Sequence, residues 1–418
     1  MLKKIIYSTL LSLLPLGIQS VNAQDVLDNY LKTTSENNAA LKSAFSEYRA
    51  TLEMLPQAKA LPDPNVMFQY FTTPLLLEMG KQRFNLSASQ MFPWFGQLKT
   101  QEQAAAEMAK AKYESFINDR NKLFYEVKST YSKLYVQHKS VQITDENLRL
   151  LRSMRELARI GFEGGKGSFV NVLRADMEIA EMENNLAYLK DSELPLRAEF
   201  EKLLNTKTSG SLTFPDTLWK DSLPDAKTVL LDSIAANNPS LKKMDYEIAS
   251  WEKQMEVAKK MGYPSFSLGA GYMNMAKREE TSGHIHNNGK DMYMFPEIGV
   301  MIPINRKKYN AMVNEAKYKS ESAAYQKINM ANELTSEMEM GYRDYLDAQR
   351  RVILYTRLHE LAKNARELLL STFSAAGTDF EEVLRMQEQE LIYALELEDA
   401  RAMLNTSVAY INYLTGKQ

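Results

Sequence analysis

QLKTQEQAAAEMAKAKYESFINDRNKLFYEVKSTYSKLYVQHKSVQITDENLRLLRSMRELARI, residues 97–160, runs for 64 residues without a glycine or a proline. As one helix at 1.5 Å per residue it would be about 96 Å long. Its Ala, Lys, Glu, Gln and Leu are strong helix formers. Leu123, Val127, Tyr131, Leu134 and His138 recur at helical spacing rather than in alternation. Helices of globular proteins seldom exceed about 25 residues, so this length implies coiled-coil-like packing. A second such stretch, Asn305 to Phe373, contains one breaker, Gly341, and would span about 100 Å.

The two stretches belong to a tandem duplication, the first thing to seek in a long chain. ENNAALKS at 36–43 resembles ANNPSLKK at 236–243. Pro62 corresponds to Pro264, and Pro93 to Pro303. FEGGKGSFVNVLRADME at 162–178 aligns with FSAAGTDFEEVLRMQEQ at 373–389, with VLR identical. Four ordered matches exclude coincidence. The expected layout is a leader at 1–23, a first repeat at 24–212, a linker at 213–225 and a second repeat at 226–418. In each repeat a helix leads to a proline, two strands follow, a second proline opens the long helix, and a turn and return helix close the unit. The expected helices are about 39–60, 97–160 and 168–204, then 239–261, 305–373 and 380–415, with Pro195 as a kink. Each return helix is too short to cover its partner alone. With the leading helix stacked on its end, the first pair reaches about 87 Å against about 96 Å.

The four strands, about 64–73, 83–92, 264–275 and 292–302, alternate. Phe266, Leu268, Ala270 and Tyr272 interleave with Ser265, Ser267, Gly269 and Gly271; Phe84, Leu86 and Ala88 with Asn85, Ser87 and Ser89. Runs of about ten residues match the length of a tilted strand crossing a bilayer. The polar face would line a lumen and the apolar face meet lipid. Phe92, Trp94 and Phe95 cluster at one end as an interfacial belt would. Four strands cannot close a barrel, which needs about eight, so several chains must contribute.

Composition narrows the function. Lys3 and Lys4, the apolar run from Ile5 to Ile18 and Val21-Asn22-Ala23 form an export signal, with cleavage expected after Ala23. Net charge is -2, which gives no electrostatic footprint for nucleic acid. There is no Cys, which removes disulfides, a cysteine nucleophile, Cys-ligated zinc and a lipid-modified N-terminal Cys. Mean hydropathy is −0.39, far from a polytopic helical membrane protein. No GxSxG, P-loop or HExxH is present, so neither an enzyme nor a cofactor is expected.

These features together resemble the TolC family of outer-membrane efflux proteins. The turn pattern is the most specific: Phe162, Gly165, Ser168, Asn171, Val172 and Leu173 in one copy, Phe373, Ala376, Asp379, Glu382, Val383 and Leu384 in the other. The resemblance implies a mainly α fold with a small membrane β part. A long antiparallel α-helical barrel would reach into the periplasm, and four strands per chain would join a 12-stranded β-barrel in a homotrimer in outer-membrane lipid. It also implies docking of a periplasmic adaptor linked to an inner-membrane pump. Family members carry an acid in each turn; here the first copy has Asn171 and only the second has Glu382. Gly377 is expected to take the turn role that Ala376 leaves.

Asn171, Glu382, Arg174 and Arg385 are candidates for a periplasmic gate, with ion pairs expected from the two arginines, one of them to Glu382. Phe162, Gly164, Gly165, Gly167 and Ser168, with Phe373, Ala376, Gly377 and Asp379, form the adaptor-docking turns. Pro62, Pro93, Pro264 and Pro303 mark the barrel–helix transitions. His284 and His286, flanked by Met273, Met275, Met292 and Met294, are a candidate site for a soft metal ion, against the plainer reading of a polar extracellular loop. The lead function is a passive exit duct for small molecules. The competing readings are a protein-secretion duct and a soluble periplasmic coiled-coil scaffold.

Overall fold

The computed structural model describes residues 23–78, 80–208, 212–277, 289–376 and 379–417. The expected leader therefore lies, but for Ala23, outside the described residues, as do His284, His286 and Gly377. Described elements run α1 (Ala23–Asn37), α2 (Ala39–Leu52), α3 (Met54–Lys59), β1 (Asn65–Leu77), β2 (Gly80–Phe92), α4 (Gln97–Glu163) and α5 (Phe169–Leu204). They continue with α6 (Lys227–Asn237), α7 (Pro239–Met261), β3 (Ser265–Ala276), β4 (Met292–Met301), α8 (Arg306–Ala376) and α9 (Phe380–Thr415). The glycine- and proline-free stretch is one helix of 67 residues, and its counterpart is one of 71. The chain divides into two compact units.

One unit takes in residues up to Glu36, Val127–Asp221 and Arg351–Asn405. Its core gathers Leu27 of α1, Val127, Tyr131 and Leu134 of α4, and Phe200 and Leu204 of α5. Tyr30 meets Phe200 edge-on at 5.1 Å. The segment joining the repeats is packed rather than loose. Phe214 and Trp219 lie against the core, Tyr131 donates from its hydroxyl to the Thr213 carbonyl at 3.3 Å, and Tyr135 donates to Glu398 at 2.6 Å. Burial pushes the Tyr131 phenol up to about 12, and burial with the Glu398 hydrogen bond pushes Tyr135 up as well. α5 continues through Pro195 and ends at Asn205, whose φ of 49 is left-handed.

The other unit takes in Asn37–Glu126, Ser222–Arg350 and Thr406 onward. The repeat is visible here in the caps. Asn38 caps α2 by accepting from the Leu41 N–H at 3.0 Å, and Asn238 caps α7 by accepting from Ser240 and Leu241. Those two asparagines also follow the last residues of α1 and α6, short helices that the sequence pattern did not mark, although Pro224 and Pro239 flank α6. The leading helix expected at 39–60 is two helices that meet at Glu53.

The unit's sheet is antiparallel in the order β1-β2-β3-β4. Its register sorts the side chains by face. Phe68, Leu86 and Tyr272 form one row, and Val66, Ala88, Ala270 and Pro296 another, all on the apolar face. Asn65, Ser89, Gly269 and Glu297 form a row of the opposite face. Pro62 and Pro93 fall between α3 and β1 and between β2 and α4; Pro264 and Pro303 fall between α7 and β3 and between β4 and α8. At these junctions Trp94 stacks on Tyr263 at 5.1 Å, and Arg306 donates to the Gly262 carbonyl at 2.7 Å. Trp94 is thus held within the chain, whereas Phe95 is 78% exposed.

Candidate functional site

The α4–α5 turn is set by its backbone. Lys166 N–H donates to the Gly161 carbonyl at 2.9 Å and Gly165 N–H to the Phe162 carbonyl at 3.0 Å. This pair of bonds is the Schellman ending, which needs a left-handed residue at the position after the cap. Gly165 fills it with a φ of 70. Gly164 and Gly167 have no positive φ, so the three glycines of the turn are not equivalent. Ser168 then caps α5 by accepting from the Val170 N–H at 3.2 Å.

The α8–α9 turn repeats the second half of this device. Asp379 accepts from the Glu381 N–H at 3.0 Å, and α8 ends at Ala376. Each turn is closed by an aromatic pair seven residues apart: Phe162 with Phe169 at 5.2 Å, and Phe373 with Phe380 at 5.1 Å. Sequence reading named the first member of each pair and missed Phe169 and Phe380, although both occupy the same place in the two copies.

The four helices at these turns share one core. Met154 and Ala158 of α4, Val172 and Ala175 of α5, and Phe380 and Val383 of α9 are buried together, with Phe373 of α8 against them. The two copies differ at one of its positions. Phe169 is about half exposed, as are Phe162, Val170 and Leu173 beside it, whereas its counterpart Phe380 is buried; Val172 and Val383 are buried alike.

Both arginines, Arg174 and Arg385, form ion pairs, one of them with Glu382, as expected. Arg174 of α5 pairs with Glu381 of α9 at 2.5 Å, so Glu381 joins the two helices. Glu382 instead pairs within α9, with Arg385 at 2.9 Å. Two adjacent acids cannot be told apart by spacing alone, since which one faces α5 depends on the helix phase after the turn. Asn171 is partly exposed on α5, one turn from Arg174. Arg155 and Asp176 add a second link, between α4 and α5, at 2.6 Å. Burial, followed by the like charges of Glu181 and Glu388, pushes the Glu178 carboxyl up.

The same unit holds a cavity of about 310 Å³ that includes Glu146, Asn147, His359, Glu390 and Glu398. Its carboxylates are largely spoken for: Glu390 pairs with Arg366, and Glu398 with Arg401 and Tyr135. His138, on α4, packs on Phe214. Among the described residues no three His, Cys, Asp or Glu side chains are placed to hold a metal ion, and no helix is long and apolar enough to cross a membrane.

Residues 30–206 match the family model described as outer membrane efflux protein. The toxin and drug export protein A of Aggregatibacter actinomycetemcomitans is 21% identical over 74% of this chain, a match that spans 66% of that relative's length. Two solved structures share the fold. The outer-membrane channel OprN has a TM-score of 0.77 at 18% identity, covering 94% of this chain and 90% of that one. The outer membrane protein VceC of Vibrio cholerae has a TM-score of 0.73 at 13% identity, covering 94% and 96%.

Proposed function

We propose that the chain is an outer-membrane efflux protein of the TolC family and the exit duct of a tripartite efflux pump, passing small molecules from the periplasm to the exterior. The observation that carries this reading is the sheet. It has one apolar and one polar face, and in it the apolar Val66, Phe68, Tyr70, Ile298 and Val300 are each more than half exposed. A soluble domain does not leave so large an apolar patch uncovered without a partner. Lipid on that face and copies of the chain on the two edge strands would cover it. Three copies supply twelve strands. In this reading the chain sits in the outer membrane and does no chemistry, and an inner-membrane pump reached through a periplasmic adaptor supplies the energy.

The two turns are the docking surface in this reading. Gly161, Gly164 and Gly167 keep side chains out of the way, and the half-exposed Phe162, Phe169, Val170 and Leu173 offer apolar area to an adaptor. Asn171, Glu382, Arg174 and Arg385 border the periplasmic mouth, with one ring of three Glu382 in a trimer and Arg174–Glu381 tying α5 to α9. Membrane fractionation tests the proposal. The full-length protein is expected in outer-membrane fractions as a detergent-stable trimer that conducts in planar bilayers. Recovery as a soluble periplasmic protein favours the coiled-coil scaffold. Replacing Glu382 with Ala is expected to alter conductance or cation preference; an unchanged channel removes it from the gate. The name of the Aggregatibacter relative covers both toxin and drug, so a deletion strain is to be challenged for protein secretion as well as for dye, antibiotic and metal sensitivity.

A further inference from the structure

Among the described side chains the sheet's methionines lie on its polar face. Met67 pairs with Ser87, Met91 with Ser267, and Met301 with Ser265, all on the polar face. Met273 lies in the row of Gln69 and Asn85 and pairs directly with Met292. Met275 follows two residues on from Met273, on the same side of β3. Among the described side chains the other face holds Phe, Tyr, Leu, Val, Ile and Ala together with Gln90, Asn274 and Pro296, and no Met.

Three of these residues are neighbours in the register. Directly paired residues on neighbouring antiparallel strands have Cβ atoms about 4.5–5.5 Å apart, within reach of two long side chains. That holds for Met273 and Met292. Met275 is drawn to the same corner by Asp291, the residue before Met292. The Asp291 carboxylate accepts from the Met275 N–H at 2.9 Å, from Asn274 Nδ2 at 3.1 Å and from the Tyr272 hydroxyl at 2.6 Å. This clasp fixes the end of β3 against the start of β4. Met275 is 5% exposed, and Met273 and Met292 are half-buried.

We infer that Met273, Met275 and Met292 form a thioether site for a soft monovalent cation, Cu(I) or Ag(I). In a chain without Cys, thioethers are the only strongly soft donors, and soft donors select such ions over Zn(II), Mg(II) or Ca(II). Each sulfur donates a lone pair and none gains or loses a proton or an electron. A thioether therefore binds without competition from protons, unlike an imidazole or a carboxylate. The site's use as a way station for exported metal rests on the duct reading above; the binding itself does not.

The test is Ag(I) titration of the full-length protein, purified in detergent, against a competing chelator. One tight site per chain is expected, with Cu(I) under ascorbate competing and Zn(II) not. The combined change Met273→Leu, Met275→Leu, Met292→Leu keeps side-chain volume and is expected to weaken Ag(I) at least about tenfold. Met301→Leu, on the same face outside the corner, retains full binding. Wild-type affinity is expected to be equal at pH 5.5 and 7.5, and this arm does not depend on the triple variant folding. Absence of a tight site, binding kept in the folded triple variant, or a steep loss at pH 5.5 each overturns the assignment. Failure to find an outer-membrane trimer would instead overturn the duct reading, and the two results are read separately.

Discussion

Gly165 is the residue on which the first turn depends. A side chain at its φ of 70 brings Cβ against the following carbonyl, a cost of about 1–2 kcal/mol. Gly165→Ala is therefore expected to loosen residues 161–168, measurable as faster amide exchange there with the rest of the protein unchanged. That same strain makes Gly165 a poor probe of docking, because a failed turn and a blocked surface look alike. Gly161 separates them. It lies in α4, and a Cβ added there meets nothing within 4 Å. Gly161→Trp is expected to leave the trimer folded and abolish efflux; normal efflux from that variant removes the turn from the docking surface. The sequence showed a turn with several glycines, but not which of them carries the positive φ. That depends on where the last helical hydrogen bonds close, which composition does not encode.

Among the elements, α8 shows what a breaker in the sequence is for. Gly341 interrupts an otherwise breaker-free run, yet the helix passes through it. Its Cβ would sit 3.0 Å from Tyr410 Cδ1 and 3.5 Å from Ile411 Cγ1. The glycine thus admits α9 rather than bending α8. Alanine there gains about 1 kcal/mol of helix propensity, which offsets the crowding of one methyl. A leucine has no such offset and is expected to cost about 1–3 kcal/mol. Thermal unfolding should show Gly341→Ala close to wild type and Gly341→Leu clearly lower. At the α5–α9 contact the sign runs with pH. The Glu178 carboxyl is raised, so the folded state takes up its proton more readily than the unfolded one, and its relief is present at low pH and lost as pH rises through the raised value. Glu178→Gln is expected to raise the melting temperature at pH 7 and to make no difference at pH 4. The long helices and strands were legible because each is bounded by prolines or glycines and has one clear period. α1 and α6 were not: each is short, and each runs into the next helix with only one residue, Asn38 or Asn238, between them.

For the whole molecule the decisive quantity is the number of strands. Four antiparallel strands alternate in direction, so β4 of one copy would meet β1 of the next in the same antiparallel sense as the three pairings within the chain. Head-to-tail contacts of this kind close into a ring when the rotation between copies fits. The alternation in the sequence was enough to place the strands and to require more than one chain. The pairing of β2 with β3, strands from different repeats, needed the structure, since nothing local links residues 80–92 to 265–276. The absence of Cys makes ring closure directly testable. Single cysteines placed along β1 at residues 66–70 and along β4 at 296–300 are to be combined in pairs and oxidised in isolated outer membranes. One register is expected to give dimer and trimer bands on non-reducing gels that collapse to monomer on reduction. A pair placed on β2 and β3 should cross-link only within one chain and leave the monomer band. If every β1–β4 combination stays monomeric while the β2–β3 control forms, the two edges do not meet and the twelve-stranded barrel is wrong.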